Sequence, residues 1–288
     1  MKKEQELKKR TRPNEVVKLS PQEITAFQNK IYRYYMKHRR PFAWRDVISP
    51  YRVFISEVML QQTQTTRVID KFALFLSVFP DFATLAQSPF SEVLRHWKGL
   101  GYNRRARFLH DSAAIIVEQF DGELPADPEI LERLPGIGPA TAASICVFAF
   151  DMALSFVETN IRTVYLYHFF GDQENVSDRE LLSFVSATVD HERPREWYYA
   201  LMDYGVMLKK SVGNLNRKSR HYVKQSKFEG SDRQVRGRIL ELLLEHDSLS
   251  VTELVAQLTE PAERVQRLID TLAAEQIVQY RGQQVLLA

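Results

Sequence analysis

Hydrophobic residues recur at helical spacing along most of the chain, and polar residues fill the positions between them. Near the N-terminus, for example, Ile24, Phe27 and Ile31 fall on one helical face together with Tyr34 and Tyr35. Alternation of apolar and polar residues is rare, and the chain has only 11 glycines. This pattern predicts an all-α fold, because a repeat of 3.6 residues presents a single apolar face only in a helix.

Local signals mark the ends of several helices within residues 21–208, the predicted core. In the segment SPYRVFISEVMLQQT, Ser49 is expected to be the N-cap and Pro50 the first helical residue. Turns are indicated by stretches such as KGLGYN, DGELPADP and LPGIGP. Further helices are predicted at about 65–79, 90–97, 102–120, 127–133, 139–150, 159–169, 178–191 and 195–210.

Three further segments are predicted outside this core. Residues 1–20 are basic, and we expect a disordered tail. Residues 209–230 are basic and lack apolar periodicity, which predicts an extended loop or linker. For residues 231–288 the pattern predicts a small winged-helix-like domain. The third helix of such a domain would read DNA, but here it has a net charge of −1, which favours packing or contact with a protein. Its helices are predicted at about 232–246, 250–258 and 261–276, followed by a two-stranded hairpin around Arg281 and Gly282.

Composition excludes several classes of protein. No run of 18 apolar residues occurs, so no membrane span is expected, and the basic N-terminus lacks the apolar core of a secretory signal. Cys146 is the one cysteine, which excludes an internal disulfide and any iron–sulfur or zinc site built on several thiolates. We therefore expect no metal and no cofactor, and a cytosolic setting is the simplest interpretation.

Positive charge is concentrated in one part of the chain. Residues 209–238 contain ten lysines and arginines against two acidic residues, a local charge of +8 in a chain of net charge +3. A solvated loop would explain such a run, but the asymmetry favours a polyanionic partner such as nucleic acid. Arg217, Lys218 and Arg220 are its candidate binding residues.

A glycine-containing turn carries the first candidate chemistry. The run LPGIGPATAA places Gly136 and Gly138 in a tight turn between two predicted helices, with Thr141 in the first turn of the second helix. Backbone N–H groups at such a helix N-terminus form a ready anion site. A helix-hairpin-helix of this kind grips a DNA phosphate without reading the sequence.

Several motifs together resemble one known family. The hairpin resembles that of the helix-hairpin-helix/Gly-Pro-Asp DNA glycosylases, which include endonuclease III. The segments PFAWRD (41–46), SEVMLQQTQ (56–64) and GLGYNRRARFLH (99–110) are similar to MutY-type adenine DNA glycosylases in particular. The resemblance covers residues 21–208 in the family's order and spacing. It implies a two-lobed fold of helices that holds a flipped base between the lobes, followed here by the winged-helix-like domain.

The resemblance also implies roles for two carboxylates. Glu57 matches the family's general acid, which protonates adenine so that it can leave, and its apolar sequence neighbours would raise its pKa. Glu158, in FVETNIR, lies 18 residues after Ala140 and matches the catalytic Asp that stabilises the sugar cation. The residues alone predict Glu158 as the start of a helix, and both roles can coexist. Asn160 matches a frequent neighbour of that Asp.

Other matched positions are expected to contact DNA. Gln61, Gln62 and Tyr102 match residues that wedge into the duplex or line the distorted strand, although Tyr102 could equally be a core aromatic. Arg104 and Arg105 flank Tyr102 and could meet phosphates.

Three departures from the family bear on function. Ala140 stands where lyase-competent members carry a lysine, so no amine is available for a Schiff base. The family's cluster cysteines align with residues that are not thiolates, so no iron–sulfur cluster is expected and the basic loop would replace it. Residues after 230 do not resemble the family's domain that senses 8-oxoguanine, which leaves the opposite base open. The residues that align with the four cluster cysteines are Lys209, Asn216, Ser219 and Gln225.

These motifs predict a monofunctional DNA glycosylase that hydrolyses the N-glycosidic bond of a flipped base, with adenine in a mismatch as the expected base. We expect a monomer that acts on double-stranded DNA with a damaged or mismatched base, without a membrane partner, in the cytoplasm at the nucleoid. Two alternatives remain open. One is a glycosylase for another damaged or mispaired base, and the other is a catalytically inactive DNA-structure binder.

Overall fold

The computed structural model describes residues 19–225 and 227–288, so the predicted tail up to residue 18 lies outside the described residues. Helices form most of the described chain, as the hydrophobic periodicity predicts, and none of them is long and apolar enough to cross a membrane. Before residue 213 the helices are α1 (Pro21–His38), α2 (Ala43–Asp46), α3 (Pro50–Leu60), α4 (Thr65–Val78), α5 (Phe82–Gln87), α6 (Phe90–Trp97), α7 (Arg104–Phe120), α8 (Pro128–Leu131), α9 (Pro139–Phe150), α10 (Thr159–Tyr165), α11 (Asp178–Thr188) and α12 (Pro194–Val212).

The described residues divide into two compact units. The first unit holds residues up to 48 together with 126–129 and 138–224, and the second holds 49–125, 130–137 and 225–288. Helices α1, α2 and α9–α12 therefore belong to the first unit. Helices α3–α7 belong to the second unit, together with the C-terminal segment.

The first unit is built on capped helices around an aromatic core. At the start of α1, Ser20 accepts a hydrogen bond from the N–H of Glu23, and the Glu23 carboxylate accepts one from the N–H of Ser20 at 2.7 Å. Reciprocal capping of this kind satisfies N–H groups that the helix leaves unpaired. Phe27 of α1 packs edge-to-face on Trp197 of α12, with ring centroids 5.8 Å apart. Burial of these rings holds α1 and α12 together.

The second unit positions α3, which begins where the sequence predicts. The Ser49 hydroxyl accepts a hydrogen bond from the N–H of Arg52 at 3.2 Å, and Pro50 is the first helical residue. Helix α3 packs against α4 and α7. The hydroxyl of Tyr51 donates to the carbonyl of Phe79 at 2.5 Å inside an aromatic core. This core holds the helix that carries Glu57 in a defined orientation.

The C-terminal module, residues 231–288, combines three helices with a small antiparallel sheet in the order β1-β3-β2. The sheet places Val285 opposite both Leu249 and Tyr280. The predicted helices and hairpin are confirmed, but β1 was not predicted, because three residues carry no readable alternation. The elements are α13 (Asp232–His246), β1 (Ser248–Ser250), α14 (Val251–Leu258), α15 (Ala262–Ala274), β2 (Val278–Arg281) and β3 (Gln284–Leu287).

Two short helices were not predicted from the sequence, and two predicted segments differ in detail. Helices α2 and α5 have four and six residues, which is too short to show a helical repeat. The segment 209–230, predicted as an extended loop or linker, contains helical structure at its start, because α12 continues to Val212 and residues Leu215–Lys218 form a 3₁₀ turn. The helix predicted at 159–169 changes to a π-helical turn at Leu166–Phe170.

A buried ion network joins α12 to the segment around α2. The Asp203 carboxylate accepts hydrogen bonds from Arg45 Nη1 and Nη2 at 3.0 and 3.1 Å and from Arg40 Nε at 2.6 Å. The side chains of Asp203 and Arg45 are only 1% and 3% exposed. The Arg45 guanidinium also lies 4.4 Å from the centroid of the Tyr199 ring. Loss of the carboxylate would leave a buried charge without its anion.

Asp203→Ala should therefore lower the free energy of unfolding by about 3–5 kcal/mol, the cost of an uncompensated buried charge. Asp46→Ala is a matched control, because the Asp46 carboxylate is 59% exposed and meets Arg39 only at 3.9 Å. The control should cost less than about 1 kcal/mol. Urea unfolding measures both, and equal losses would contradict the role given to Asp203.

Candidate active site

Glu158 is the N-cap of α10, and its carboxylate is held by three hydrogen bonds. Oε1 accepts from the N–H groups of Asn160 and Ile161, both at 2.8 Å, and Oε2 accepts from Asn160 Nδ2 at 3.1 Å. The side chain is half-buried. Burial raises the pKa of Glu158, and the hydrogen bonds and Arg162 oppose this increase. The predicted helix start is confirmed, and the same contacts hold the carboxylate in one orientation. Its catalytic role stays a prediction.

The segment before Glu158 is fixed to α12 by aromatic contacts. Phe156 stacks on Tyr198 with ring centroids 4.4 Å apart, and the Tyr198 hydroxyl donates to the carbonyl of Leu154 at 2.7 Å. Arg195 of α12 donates from Nε to the carbonyl of Phe148 at 2.7 Å, at the end of α9. The chain between α9 and α10 is therefore held along its length, which defines where α10 begins.

The start of α10 also lies directly against a glycine of α12. A Cβ built on Gly205 would lie 2.4 Å from the carbonyl oxygen of Asn160 and 2.9 Å from its Cβ. No side chain other than hydrogen fits there without moving the backbone next to Glu158. Sequence reasoning missed Gly205, because a glycine inside a helix gives no local signal of the close approach it permits.

The basic segment after α12 is tied to α10 by side-chain hydrogen bonds. Asn216 is 4% exposed and donates from Nδ2 to Thr163 Oγ1 at 3.0 Å. The main chain next to it is bonded to Val176, which donates to the carbonyl of Lys218 at 3.0 Å and accepts from the N–H of Arg220 at 2.9 Å. These bonds support α10, the helix that Glu158 caps, by contacts from residues that lie 53 or more positions after Thr163 in the chain.

The residues aligned with the family's cluster ligands do not fit an iron–sulfur cluster. None of them is a thiolate, and Asn216 and Ser219 have polar partners within this segment. Cys146 is buried in α9, and burial raises its pKa to about 11, which disfavours the thiolate that iron requires. Within the described residues no group of three or more His, Cys, Asp or Glu could hold a metal.

Glu57 lies on α3 in the second unit, where it is half-buried. Its neighbours Ile55 and Met59 are fully buried, and Val58 is 3% exposed. The predicted burial of these three neighbours is confirmed, so Glu57 lies among buried apolar residues of α3. Its role as an acid stays a prediction.

Buried Arg105 organises the loop that carries Tyr102. Its Nη1 donates to the carbonyls of Val58 and Met59 at 2.8 and 2.9 Å. Its Nη2 donates to Thr63 Oγ1 at 2.7 Å and to the carbonyl of Gly101 at 3.0 Å. The prediction that Arg105 contacts DNA phosphates is wrong, because the side chain is 7% exposed and its terminal donors are used inside the protein. Burial lowers the pKa of this guanidinium to about 10.

Several predicted DNA-binding residues of the second unit surround the hairpin turn. Gln61 Nε2 donates to the carbonyl of Gly136 at 3.2 Å. A Cβ on Gly136 would lie 2.5 Å from Phe108, and its φ of +74° also requires glycine. The guanidinium of exposed Arg104 lies 4.7 Å from the centroid of the Phe108 ring. The structure thus groups Gln61, Arg104 and the glycine turn.

Two residues near this group have strained backbones. Gln62 has a φ of +52° and Tyr102 a φ of +48°, in the left-handed region that side chains other than glycine rarely adopt. Such strain persists only where the surrounding structure over-determines it, and it collects at binding sites. Gln62 is exposed and Tyr102 half-buried, so both remain candidates for contact with DNA.

The second half of the hairpin begins α9. Gly138 is the N-cap, Pro139 follows at the first helical position, and among the described residues no side chain caps this end. Gly138 is exposed, and Thr141 is half-buried in the first turn. The backbone N–H groups here suit an anion such as phosphate.

The three candidate residues of the basic segment differ in their surroundings. Lys218 Nζ donates to the carbonyl of Gly171 at 2.7 Å and lies 3.8 Å from Asp172 Oδ1, so it braces the first unit. Arg217 and Arg220 are exposed. Binding of nucleic acid by these residues stays a prediction.

Gly205→Ala should displace the start of α10 and with it Glu158, because the backbone oxygen of Asn160 cannot move aside alone. We expect a loss of about 1–3 kcal/mol in the free energy of unfolding, as in other overpacked cores. Gly237→Ala is the control, since Gly237 is also helical but a Cβ added there would meet no heavy atom within 4 Å. That change should stabilise the protein by about 0.5–1 kcal/mol. Thermal unfolding that ranks the two variants in the opposite order would contradict the packing argument.

Comparison with known proteins connects this geometry to a family. The model of the HhH-GPD superfamily base excision DNA repair proteins matches residues 55–185. The adenine DNA glycosylase of Mycolicibacterium smegmatis is 29% identical over 276 residues, which cover 87% of this chain and 92% of the relative. That of Mycobacterium tuberculosis is 30% identical over 267 residues, which cover 85% and 88%. Some longer adenine DNA glycosylases are matched over only 38–53% of their length.

A solved structure of a DNA glycosylase is also similar to this chain. A thermostable thymine-DNA glycosylase superposes with a TM-score of 0.61 and 26% identity, covering 65% of this chain and 87% of that structure. The predicted fold class is confirmed by this likeness and by the helical content of the described chain. The chain belongs to the HhH-GPD superfamily of base excision DNA repair proteins and, within it, to the adenine DNA glycosylase family.

Proposed function

We propose that this protein is a monofunctional DNA glycosylase that hydrolyses the N-glycosidic bond of adenine extruded from a mismatched duplex. The observation that carries the proposal is the carboxylate of Glu158, which three hydrogen bonds hold at the start of α10. Its distance of 18 residues from Ala140, which matches the spacing to the family's catalytic Asp, supports the same role. Relatives that are named adenine DNA glycosylases support adenine as the base.

The two carboxylates divide the chemistry between them. Glu57 acts as the general acid and gives its proton to a ring nitrogen of the base, so that the base leaves as a neutral molecule. The C1′–N bond breaks, and its electron pair goes to the base. Glu158 remains ionised and stabilises the positive charge that develops on the sugar. Water then adds to C1′ and loses a proton to the solvent, which leaves a free base and an abasic site, and Glu57 takes up a proton from the solvent before the next cycle.

Glu158 has one methylene more than the aspartate it replaces. A longer side chain can adopt more rotamers, but the cap hydrogen bonds restrict its carboxylate to one place. Placement matters because an error of about 1 Å can reduce a catalytic rate roughly 10²-fold. The bonds from Asn160 and Ile161 thus support a site adapted to Glu.

Ala140 supports a reaction that stops after base removal. A lyase reaction requires an amine that forms a Schiff base with C1′, and the Ala140 side chain is a methyl group. Strand cleavage would then need alkali or another enzyme. The protein acts as a monomer on double-stranded DNA in this proposal, with the glycine turn and exposed Arg104 near the phosphates.

A second candidate function is removal of a mispaired pyrimidine. The observation that favours it is the likeness to a thymine-DNA glycosylase at 26% identity. Duplexes that each contain one mismatch or lesion distinguish the candidates when the released base is identified by mass. Release of adenine supports the first function, and release of thymine supports the second. Binding without release of any base would contradict both, and strand breaks without alkali would contradict the absence of lyase activity.

Glu57→Gln should lower the single-turnover rate by about 10²–10⁴-fold, the usual contribution of a general acid. The amide keeps the shape of the side chain but has no acidic proton, so binding of the duplex should change little. Glu92→Gln on α6 is a control, because Glu92 is also a half-buried glutamate on a helix of the second unit. A Glu57→Gln protein that keeps most of its activity would remove Glu57 from the mechanism.

Glu158→Gln should lower the rate by about 10²-fold or more, because charge is lost where the sugar cation develops. The glutamine oxygen still accepts the bonds from Asn160 and Ile161, so α10 should stay folded. Glu158→Asp should retain part of the activity. Glu180→Gln, at the capping box of α11, is the matched control and should leave the rate unchanged.

The pH dependence offers a separate test of Glu158. Its ionised form is the active one, and burial raises its pKa. Activity should therefore fall as the pH decreases through that raised pKa, at a higher pH than for an exposed glutamate. A native rate in Glu158→Gln at all pH values would show that Glu158 is only a helix cap.

A further inference from the structure

The C-terminal module contacts Tyr102, the residue expected to enter the duplex. Arg233, in the first turn of α13, donates from Nη1 to the Tyr102 hydroxyl at 2.9 Å. Gln225 Nε2 donates to the same hydroxyl. The Arg233 guanidinium lies 5.6 Å from the centroid of the Tyr102 ring, within range of a cation–π interaction. All these residues belong to the second unit.

The residue before Arg233 ties the start of α13 to α15. Asp232 pairs with Arg264 at 2.8 Å and with Arg267 at 2.8 Å, both on α15. These bonds anchor the first turn of α13 to the rest of the module. Arg233 is the next residue along the helix, and its side chain reaches Tyr102 outside the module.

Helix α13 contacts the loop of Tyr102 at a second point. Lys98 Nζ lies 3.1 Å from Glu241 Oε1, and Glu241 is eight residues after Arg233. Eight helical residues span about 12 Å, so α13 reaches both the start of the loop and its tip. The loop itself contains Gly99 and Gly101 at φ of +96° and +73°, followed by Tyr102 at +48°. A loop of this composition needs outside contacts to hold one conformation.

We propose that Arg233 is a positioning residue that holds Tyr102 ready to fill the gap left by the extruded base. Arg105 fixes the backbone below Tyr102, and Arg233 fixes the hydroxyl at the far end of the ring. A ring held at both ends loses less freedom when it enters DNA, so more of its stacking energy opposes the cost of extrusion. The C-terminal module thereby takes part in base extrusion without reading a base sequence. This inference rests on the proposed function.

A double-mutant cycle in the full chain tests the coupling. The variants are Arg233→Gln, Tyr102→Phe and the pair together. Glu245→Gln is the control, because it removes an exposed charge from the same helix outside the basic run. Single-turnover excision is measured on a duplex with one mismatched adenine. Each single variant should slow excision about tenfold, the loss expected for one hydrogen bond to a charged group. The pair should be no slower than either single variant, and Glu245→Gln should stay within about twofold of wild type.

Three outcomes would overturn the proposal. Multiplied losses, about a hundredfold in the pair, would mean that Arg233 acts on DNA independently of Tyr102. Faster excision by Arg233→Gln would mean that the contact restrains Tyr102. An unchanged rate would mean that the contact has no functional role. Arg233→Met keeps the aliphatic stem and replaces Arg233→Gln in the cycle if the latter lowers the melting temperature.

A second readout separates this proposal from the proposed function. A duplex with 2-aminopurine beside the mismatch becomes more fluorescent when the neighbouring base leaves the stack. Arg233→Gln and Tyr102→Phe should reduce that increase to the same extent, with no further reduction in the pair. If wild type releases no base, the proposed function fails, and this fluorescence cycle still decides whether Arg233 acts through Tyr102. Additive reductions in fluorescence would overturn the positioning role.

Discussion

The guanidinium of Arg105 is the interaction on which the candidate DNA-binding surface of the second unit depends. It binds carbonyls at the end of α3, the hydroxyl of Thr63 and carbonyls of the glycine loop before Tyr102. One buried cation thus connects the end of the helix that carries Glu57 with the loop that carries Tyr102. Burial of such a group is tolerated because carbonyl oxygens replace the lost water. A neutral residue there would leave several carbonyls without donors and both segments without a common anchor.

Three features of the first unit set the position of the Glu158 carboxylate. Its cap bonds complete the first turn of α10, and Gly205 allows α12 to lie against that turn. Asn216 supports the same helix through Thr163. The position of the carboxylate is therefore set by helix capping, by close packing and by a distant hydrogen bond. In this chain, polar side chains after α12 brace the region next to α10.

The sequence was sufficient to predict most of the helices and the residues at which α3 and α10 begin. Ser49 and Glu158 lie at helix starts because their side chains accept from free N–H groups, and such signals are local. The burial of Arg105 was not predictable, because an arginine in an arginine-rich run gives no sign of which member turns inward. The close packing at Gly205 and the contact of Arg233 with Tyr102 were missed for another reason, because each joins residues that are far apart in the chain.

The order in which the ribosome makes the chain has a consequence for the Asp203 network. The first unit is interrupted in the sequence by helices α3–α7 of the second unit. Arg40 and Arg45 are synthesised long before Asp203, which is 163 and 158 residues later. Because domains tend to fold as they emerge from the ribosome, α3–α7 can fold before α12, the helix that carries Asp203, has been made to pack against α1 and α2. Until Asp203 has been made, neither arginine can form this buried ion network, so the network can close only late in synthesis.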